Sequence, residues 1–282
     1  MADTFCGWYF RCQSETDTVA LIPAVHTAGG KRSGSLQIIS DAGAWMIPFP
    51  GEKARVDRKR PYAVLGYNVF CERGIFLNEC RAGISVKCDL RFGDLSPLHY
   101  DIMGPFCCVP FMECRHSVAS MRHTVSGSLR LNDTEYRFQN GAGYLEGDRG
   151  CSFPQRYAWT QCLFESGSLM LSVADIPLGR LHFTGIIGVI QLNGHEYRLA
   201  TYLGARVEKI QDGEIVVRQG RMTLTATLLE GSAYTLKAPQ TGAMARNIRE
   251  SVTCTVRYRF NIGQRTVMFM ETTKAAFEFE YP

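Results

Sequence analysis

Short runs rich in β-branched and aromatic residues, broken by turn signals, fill almost the whole chain. The runs "TVALIPAV", "SGSLQIIS", "GISVKCDLRF", "HTVSGSLRLN", "EYRLATYL", "GEIVVRQG", "RMTLTATLLE" and "SVTCTVRYRF" each read as a strand. Between strands fall Asp-Ala-Gly at 41–43, Asn-Asp at 132–133, Asn-Gly at 193–194 and Asp-Gly at 212–213, which are hairpin turn sequences. No long window carries the helical period. Many strands at close spacing predict an all-β protein, a sandwich or a barrel.

Alternate side chains of a strand share a face. In "GYLEGD" this groups Tyr144, Glu146 and Asp148, with Leu145 and Gly147 opposite. Trp159 and Gln161 share a face in the same way. Upstream, Met112, Cys114, His116 and Val118 fall on one side; Phe111, Glu113, Arg115 and Ser117 fall on the other. Glu113 and His116 therefore serve one site only if the chain bends near Pro110.

The two halves resemble each other. "GWYFRCQSETDTVALIP" followed by "GSLQIISDAGAWMIPF" is echoed by "YAWTQCLFESGSLMLSVADIP" followed by "TGIIGVIQLNGHEYRLATY". This weak duplication predicts two successive β-barrels, residues 1–140 and 141–282. The stretch from Gly143 to Cys162 then lies at the junction, where a ligand cleft is expected.

Composition narrows the partners. The chain has 282 residues, 45% hydrophobic and 21% charged, with a net charge of +4. That charge, with no basic block interleaved with aromatics, argues against nucleic acid. No run reaches the ~18 apolar residues of a membrane helix, which leaves only peripheral membrane contact open. The start lacks a secretory pattern, and eleven cysteines, an odd number, fit reduced thiols in a cytoplasm. Cys107, Cys108, Cys114 and His116 match no standard zinc spacing, so no metal is expected. Cys151 and Cys162 lack a His/Asn constellation for a nucleophile.

Four blocks carry a family resemblance. "GWYFR" (Gly7 to Arg11) is similar to the opening motif of the tocopherol cyclase family, and "GPFCCVPFMECRH" resembles its central segment with Pro-x-x-Glu. "GYLEGDRGCSFPQRYAWTQC" resembles its Tyr-x-Glu … Gly … Phe-Pro … Trp-x-Gln signature. Tyr144, Glu146, Gly150, Phe153, Pro154, Trp159 and Gln161 fill the matched positions, and "LKAP" (Leu236 to Pro239) fits a later one. The blocks keep their order over most of the chain. The plant cyclases have Lys-Asn-Trp where this chain has Gly147, Asp148 and Arg149, which sets its substrate apart.

The resemblance, which extends to carotenoid hydratases, implies two lipocalin-like β-barrels side by side. It also implies an enzyme that protonates a carbon–carbon double bond without metal or organic cofactor. An alkene is a poor base, so the acid must be sheltered from water; burial of a carboxyl beside apolar rings keeps its proton. Glu146, Asp148 and Glu113 are the candidate acids, with Tyr144 orienting them. Trp8, Phe153 and Trp159 would face the cation, and Gln161 and His116 would hold a substrate oxygen. A hydroxyl of the substrate, or water, then completes the reaction.

Other roles stay open for the same residues. Glu146 also suits an ion pair with Arg149 or Arg156, Glu113 one with Arg115, and Asp148 an exposed turn. Trp8, Trp159 and His116 suit a core. A non-catalytic carrier of an apolar ligand, and a purely structural protein, are the competing functions. An acid pointing into an apolar cavity separates the enzyme from both. Oligomeric state is not readable.

Overall fold

The computed structural model describes residues 2–109, 112–178 and 181–282. The bend expected near Pro110, and Phe111, lie outside them. Among the described residues there is no α-helix; two large antiparallel sheets make the fold.

The first sheet begins with an up-and-down run: β1 (Thr4–Gln13), β2 (Thr18–Ala28), β3 (Lys31–Ser40) and β4 (Gly43–Pro50). Short strands follow: β5 (Ala54–Val56), β6 (Ala63–Leu65) and β7 (Asn68–Cys71). Then come β8 (Gly74–Arg81), β9 (Ile84–Phe92) and two long strands, β10 (Cys114–Leu131) and β11 (Thr134–Gly150). Their order in space is β4-β3-β2-β1-β11-β10-β9-β8-β7-β6-β5.

The second sheet holds β12 (Tyr157–Phe164), β13 (Gly167–Leu178), β14 (Leu181–Leu192) and β15 (His195–Ala200). It continues with β16 (Arg206–Gln211), β17 (Glu214–Gln219), β18 (Met222–Gly231), β19 (Tyr234–Gln240), β20 (Ala243–Ile262) and β21 (Arg265–Phe279). Its order is β15-β14-β13-β12-β21-β20-β18-β17-β16, with β19 paired to β20 beside that path. In both sheets the first strand pairs with the last, and the four opening strands fan out on one side. The topology thus repeats, as the two halves of the sequence suggest.

Each sheet wraps one apolar core. Trp8, Phe10, Leu21, Ile38, Phe70 and Leu145 belong to the first; Leu171, Ile190, Val217, Tyr258 and Phe260 belong to the second. Burial of such side chains contributes about 1.5–3 kcal/mol each. In the first sheet the two ends meet face to face: a side chain on Gly34 of β3 would lie 2.4 Å from Ala54 Cβ of β5. No ladder joins β4 to β5, or β15 to β16, among the described residues. The sheets curl without closing, so the expectation of closed barrels reaches further than the observed pairing. β5, only three residues long, offers little edge for a further strand.

Two compact units divide the chain. One comprises Met1–Asp101, Pro110–Phe153 and Leu236–Asn247; the other comprises Ile102–Val109, Pro154–Thr235 and Ile248–Pro282. The tip of the β19–β20 hairpin therefore belongs to the first unit. Gln37 ties it there, its Nε2 donating to Lys237 O at 2.9 Å and its Oε1 accepting from Lys237 N at 2.8 Å.

Two buried histidines in this unit set an acid limit. His26 bonds Ser35 Oγ through Nε2 at 2.8 Å, and the His123 ring lies 4.7 Å from that of Phe92. Burial lowers both to about 4 from 6.5. A folded value below the unfolded one means that stability is complete above pH 6.5 and lost as the unfolded chain gains protons below it. We expect a loss of about 1.4 kcal/mol per pH unit per histidine, ending near pH 4. Urea midpoints from pH 7 to pH 4 check this; His26→Gln with His123→Gln should flatten the slope, and an unchanged slope would refute the assignment.

Candidate active site

The stretch that carries Tyr144, Glu146 and Asp148 is the end of β11, held between β1 and β10. Its register against β1 pairs Arg11 with Tyr144, Tyr9 with Glu146, Trp8 with Gly147 and Gly7 with Asp148. Strand alternation therefore collects Tyr9, Arg11, Tyr144, Glu146 and Asp148 on one face, and sends Trp8 and Leu145 to the core on the other. On the far side, His116 of β10 stands opposite Asp148 and Val118 opposite Glu146.

The polar side chains on this face form a chain of contacts. The Tyr144 hydroxyl donates to Glu146 Oε2 at 2.5 Å. His116 Nε2 lies 3.1 Å from the same oxygen, close enough for an ion pair but off the direction of a hydrogen bond. His116 Nδ1 is 3.0 Å from Asp148 Oδ1, and Cys114 Sγ reaches that oxygen at 3.4 Å. Tyr144 and Glu146 are buried, whereas the side chain of His116 is 11% exposed and that of Asp148 23%.

The two neighbouring carboxyl groups favour a charged ring. A neutral imidazole has one N–H, whereas two carboxylates at opposite edges of the ring call for two. Burial alone would lower the His116 pKa, yet Glu146 and Asp148 together hold it well above its ordinary 6.5. The direction of that shift favours an imidazolium between the two carboxyl groups. Burial and the neighbouring Glu146 likewise push the Tyr144 phenol up, so it remains a donor, and burial with Asp148 pushes the Cys114 thiol up.

A cation fits these residues poorly. His116, Glu146 and Asp148 bring ligand atoms within 4.8 Å of one another. Yet a metal there needs a neutral ring with a free lone pair, at the expense of the proton that the two carboxyl groups favour. The arrangement favours a proton in the place of an ion.

The remaining sequence candidates are distributed as follows. Trp8 is in the core, its Nε1–H donating to Asp57 O at 2.9 Å. Its ring lies against the backbone of Gly147, where a Cβ would come within 2.5 Å of it. Glu113 contributes its backbone: its carbonyl accepts from Cys151 N at 2.8 Å. Its carboxyl has no hydrogen bond or ion pair among the described residues. Phe153 packs edge-on against Phe5, 5.4 Å between ring centres, and its N–H donates to Pro239 O at 3.0 Å. The ion pairs open to Glu146 in the sequence are taken elsewhere: Arg149 donates to Ser117 Oγ and Arg156 pairs with Asp175.

Trp159 and Gln161 lie in the second unit, both buried, on one face of β12 with Tyr157. Gln161 is wholly buried, and neither of its side-chain amide atoms has a hydrogen-bond partner among the described residues. That face also holds a pair the sequence did not suggest: the Tyr157 hydroxyl donates to Glu278 of β21, which stands opposite Trp159 of β12 and opposite Glu250 of β20. Tyr157 and Glu278 are 121 residues apart, so only the strand pairing could reveal them.

Similarity to known proteins lies in the fold. No protein-family model and no curated protein matches the chain by sequence. Among solved structures, CghA with Sch210972 superposes with a TM-score of 0.59 at 10% identity, over 98% of this chain and 88% of that one. Kievitone hydratase from Nectria haematococca gives 0.58 at 8% identity, over 99% and 88%. A putative AttH from Nitrosomonas europaea gives 0.52 at 11% identity, over 100% and 93%. At such identities the likeness establishes a shared fold along the whole chain.

Proposed function

We propose that the protein is a cofactor-independent cyclase or hydratase. It protonates a carbon–carbon double bond of an apolar, prenyl-like small molecule, and each curled sheet serves as a lipocalin-like lobe. The observation that carries this reading is the chain of contacts Tyr144–Glu146–His116–Asp148, with Tyr144 and Glu146 buried. The whole-chain likeness to a hydratase and the sequence resemblance to tocopherol cyclases support it at the level of fold.

In this reading Glu146 is the acid and His116 its proton store. The ring must first turn to bring Nε2–H into line with Oε2; the proton then passes to Glu146 and from there to the alkene. The π pair forms the new C–H bond and leaves a cation on the more substituted carbon. A hydroxyl of the substrate, or water, attacks that carbon, and its proton returns to the Glu146–His116 pair. Tyr144 fixes the carboxyl, and Asp148 fixes the ring, as an orienting acceptor does for any catalytic imidazole.

The test begins with native mass spectrometry of protein purified from its own host, to identify a co-purifying apolar compound. That compound, and simple prenylated phenols, are then incubated with the full-length protein in D2O. One carbon-bound deuterium per product molecule supports the proposal. A bound compound recovered unchanged, without deuterium, would make the protein a carrier.

A further inference from the structure

The cysteines differ sharply in exposure. Burial pushes the Cys6 thiol up to about 11 and the Cys12 thiol up to about 12, and Cys88, Cys162 and Cys254 are also buried. Cys80, Cys107 and Cys108 are exposed. Cys80 has no second thiol in contact among the described residues, whereas the Sγ atoms of Cys107 and Cys108 are 3.7 Å apart.

The pair ends a short 3-10 turn, Gly104–Cys108, whose stem is fixed within the second unit. The Phe106 ring packs 5.9 Å from that of Phe183 and edge-on, at 5.7 Å, against Tyr202. Tyr202 in turn donates its hydroxyl to Ile102 O at 3.3 Å, and Gly104 has φ +51 where a Cβ would come within 2.5 Å of the Tyr202 ring. The stem is thus anchored while the thiols face solvent.

We propose that Cys107 and Cys108 form a vicinal dithiol, a modification site that a hydroperoxide closes reversibly to a disulfide. One thiolate attacks the O–O bond, giving a sulfenic acid and, from hydrogen peroxide, water. The neighbouring thiol then displaces the sulfenic oxygen as a second water and forms the S–S bond. The two thiols give up two electrons and two protons, and the peroxide accepts both. Closure draws the sulfurs to about 2.05 Å. Adjacent Cα atoms are only about 3.8 Å apart, less than a disulfide usually spans, so the ring is strained and open to reduction by small thiols. The site is independent of the proposed activity.

The test treats the full chain with one equivalent of hydrogen peroxide, then with maleimide, and maps the peptides by mass. The peptide holding residues 107 and 108 should lose two hydrogens and both maleimide adducts, and regain them after a thiol reductant. Cys80, with no second thiol in contact, should stop at a sulfenic acid that dimedone traps and should form no internal disulfide. Cys108→Ser should leave a dimedone-trappable sulfenic acid at Cys107. Labelling of both thiols at the Cys80 rate, or separate sulfenic acids on each in the unaltered protein, would overturn the proposal.

Discussion

Glu146→Gln is expected to lower deuterium incorporation into substrate by about 100- to 10,000-fold, the range that general acids contribute. The amide has nearly the shape of the carboxyl and can still accept from Tyr144. It cannot take a proton from His116 and release it to carbon. The ring keeps Asp148 as its other partner, so the fold should survive, and circular dichroism should be unchanged. Asp148→Asn should act more weakly, since Asp148 reaches the reaction only through the ring. A Glu146→Gln protein with full turnover would remove the proposed donor, and Asp148, the other acid of the cluster, would be next in line.

The largest stability effect should come from His116→Leu. The imidazolium lies between Glu146 and Asp148, at 3.1 and 3.0 Å. Removing it leaves two acids, both held on the same face of β11, without the charge between them. Breaking a buried pair in this way costs about 3–5 kcal/mol. The effect should depend on pH with a definite sign. His116 has a folded pKa raised above its unfolded value, so its contribution is complete below about pH 6.5 and lost as pH rises through the folded value. The gap in unfolding free energy between the natural protein and His116→Leu should be widest near pH 6.5 and narrow in alkali. His26 and His123 titrate alike in both proteins and cancel from the difference. Urea denaturation across pH 6 to 10 measures this; a gap that is constant or grows with pH contradicts the imidazolium.

Much of the sheet structure was legible because it depends on local chemistry. Asn193-Gly194 and Asp212-Gly213 have the positive φ values their hairpin turns need, 50 and 79, and 51 and 73. Each run read as a strand matches one to within a terminal residue, except that "EYRLATYL" leaves its strand after Ala200, Thr201–Leu203 forming a 3-10 turn. The face shared by Tyr144, Glu146 and Asp148 was also readable, since β11 runs without interruption through them opposite β1. Cys114 and His116 were rightly placed on a common face, and both reach Asp148.

What was not legible depends on pairing between distant strands. β10 meets β11 with register shifts between Val118 and Ser120, between Ser120 and His123, and between Val125 and Gly127. Parity cannot be carried across such irregularities, so the sequence could not tell that His116 faces the acids. Trp8, with Phe153 and Trp159, is expected from the resemblance to face the cation. The register puts Tyr9 opposite Glu146 and turns Trp8 to the core. The Tyr157–Glu278 pair joins β12 to a strand near the chain's end, a contact that no local pattern encodes. Closure of the sheets is equally non-local: it turns on whether β4 meets β5.

The central claim is that His116 is an imidazolium held between Glu146 and Asp148. Nitrogen-15 NMR of the histidine ring across pH 5 to 9 addresses it directly, with His116→Gln identifying the resonance. The account predicts that both ring nitrogens of His116 stay protonated at pH 7.5, well after an ordinary histidine has lost its charge. A His116 ring that is already neutral at that pH, with one bare nitrogen, would contradict it.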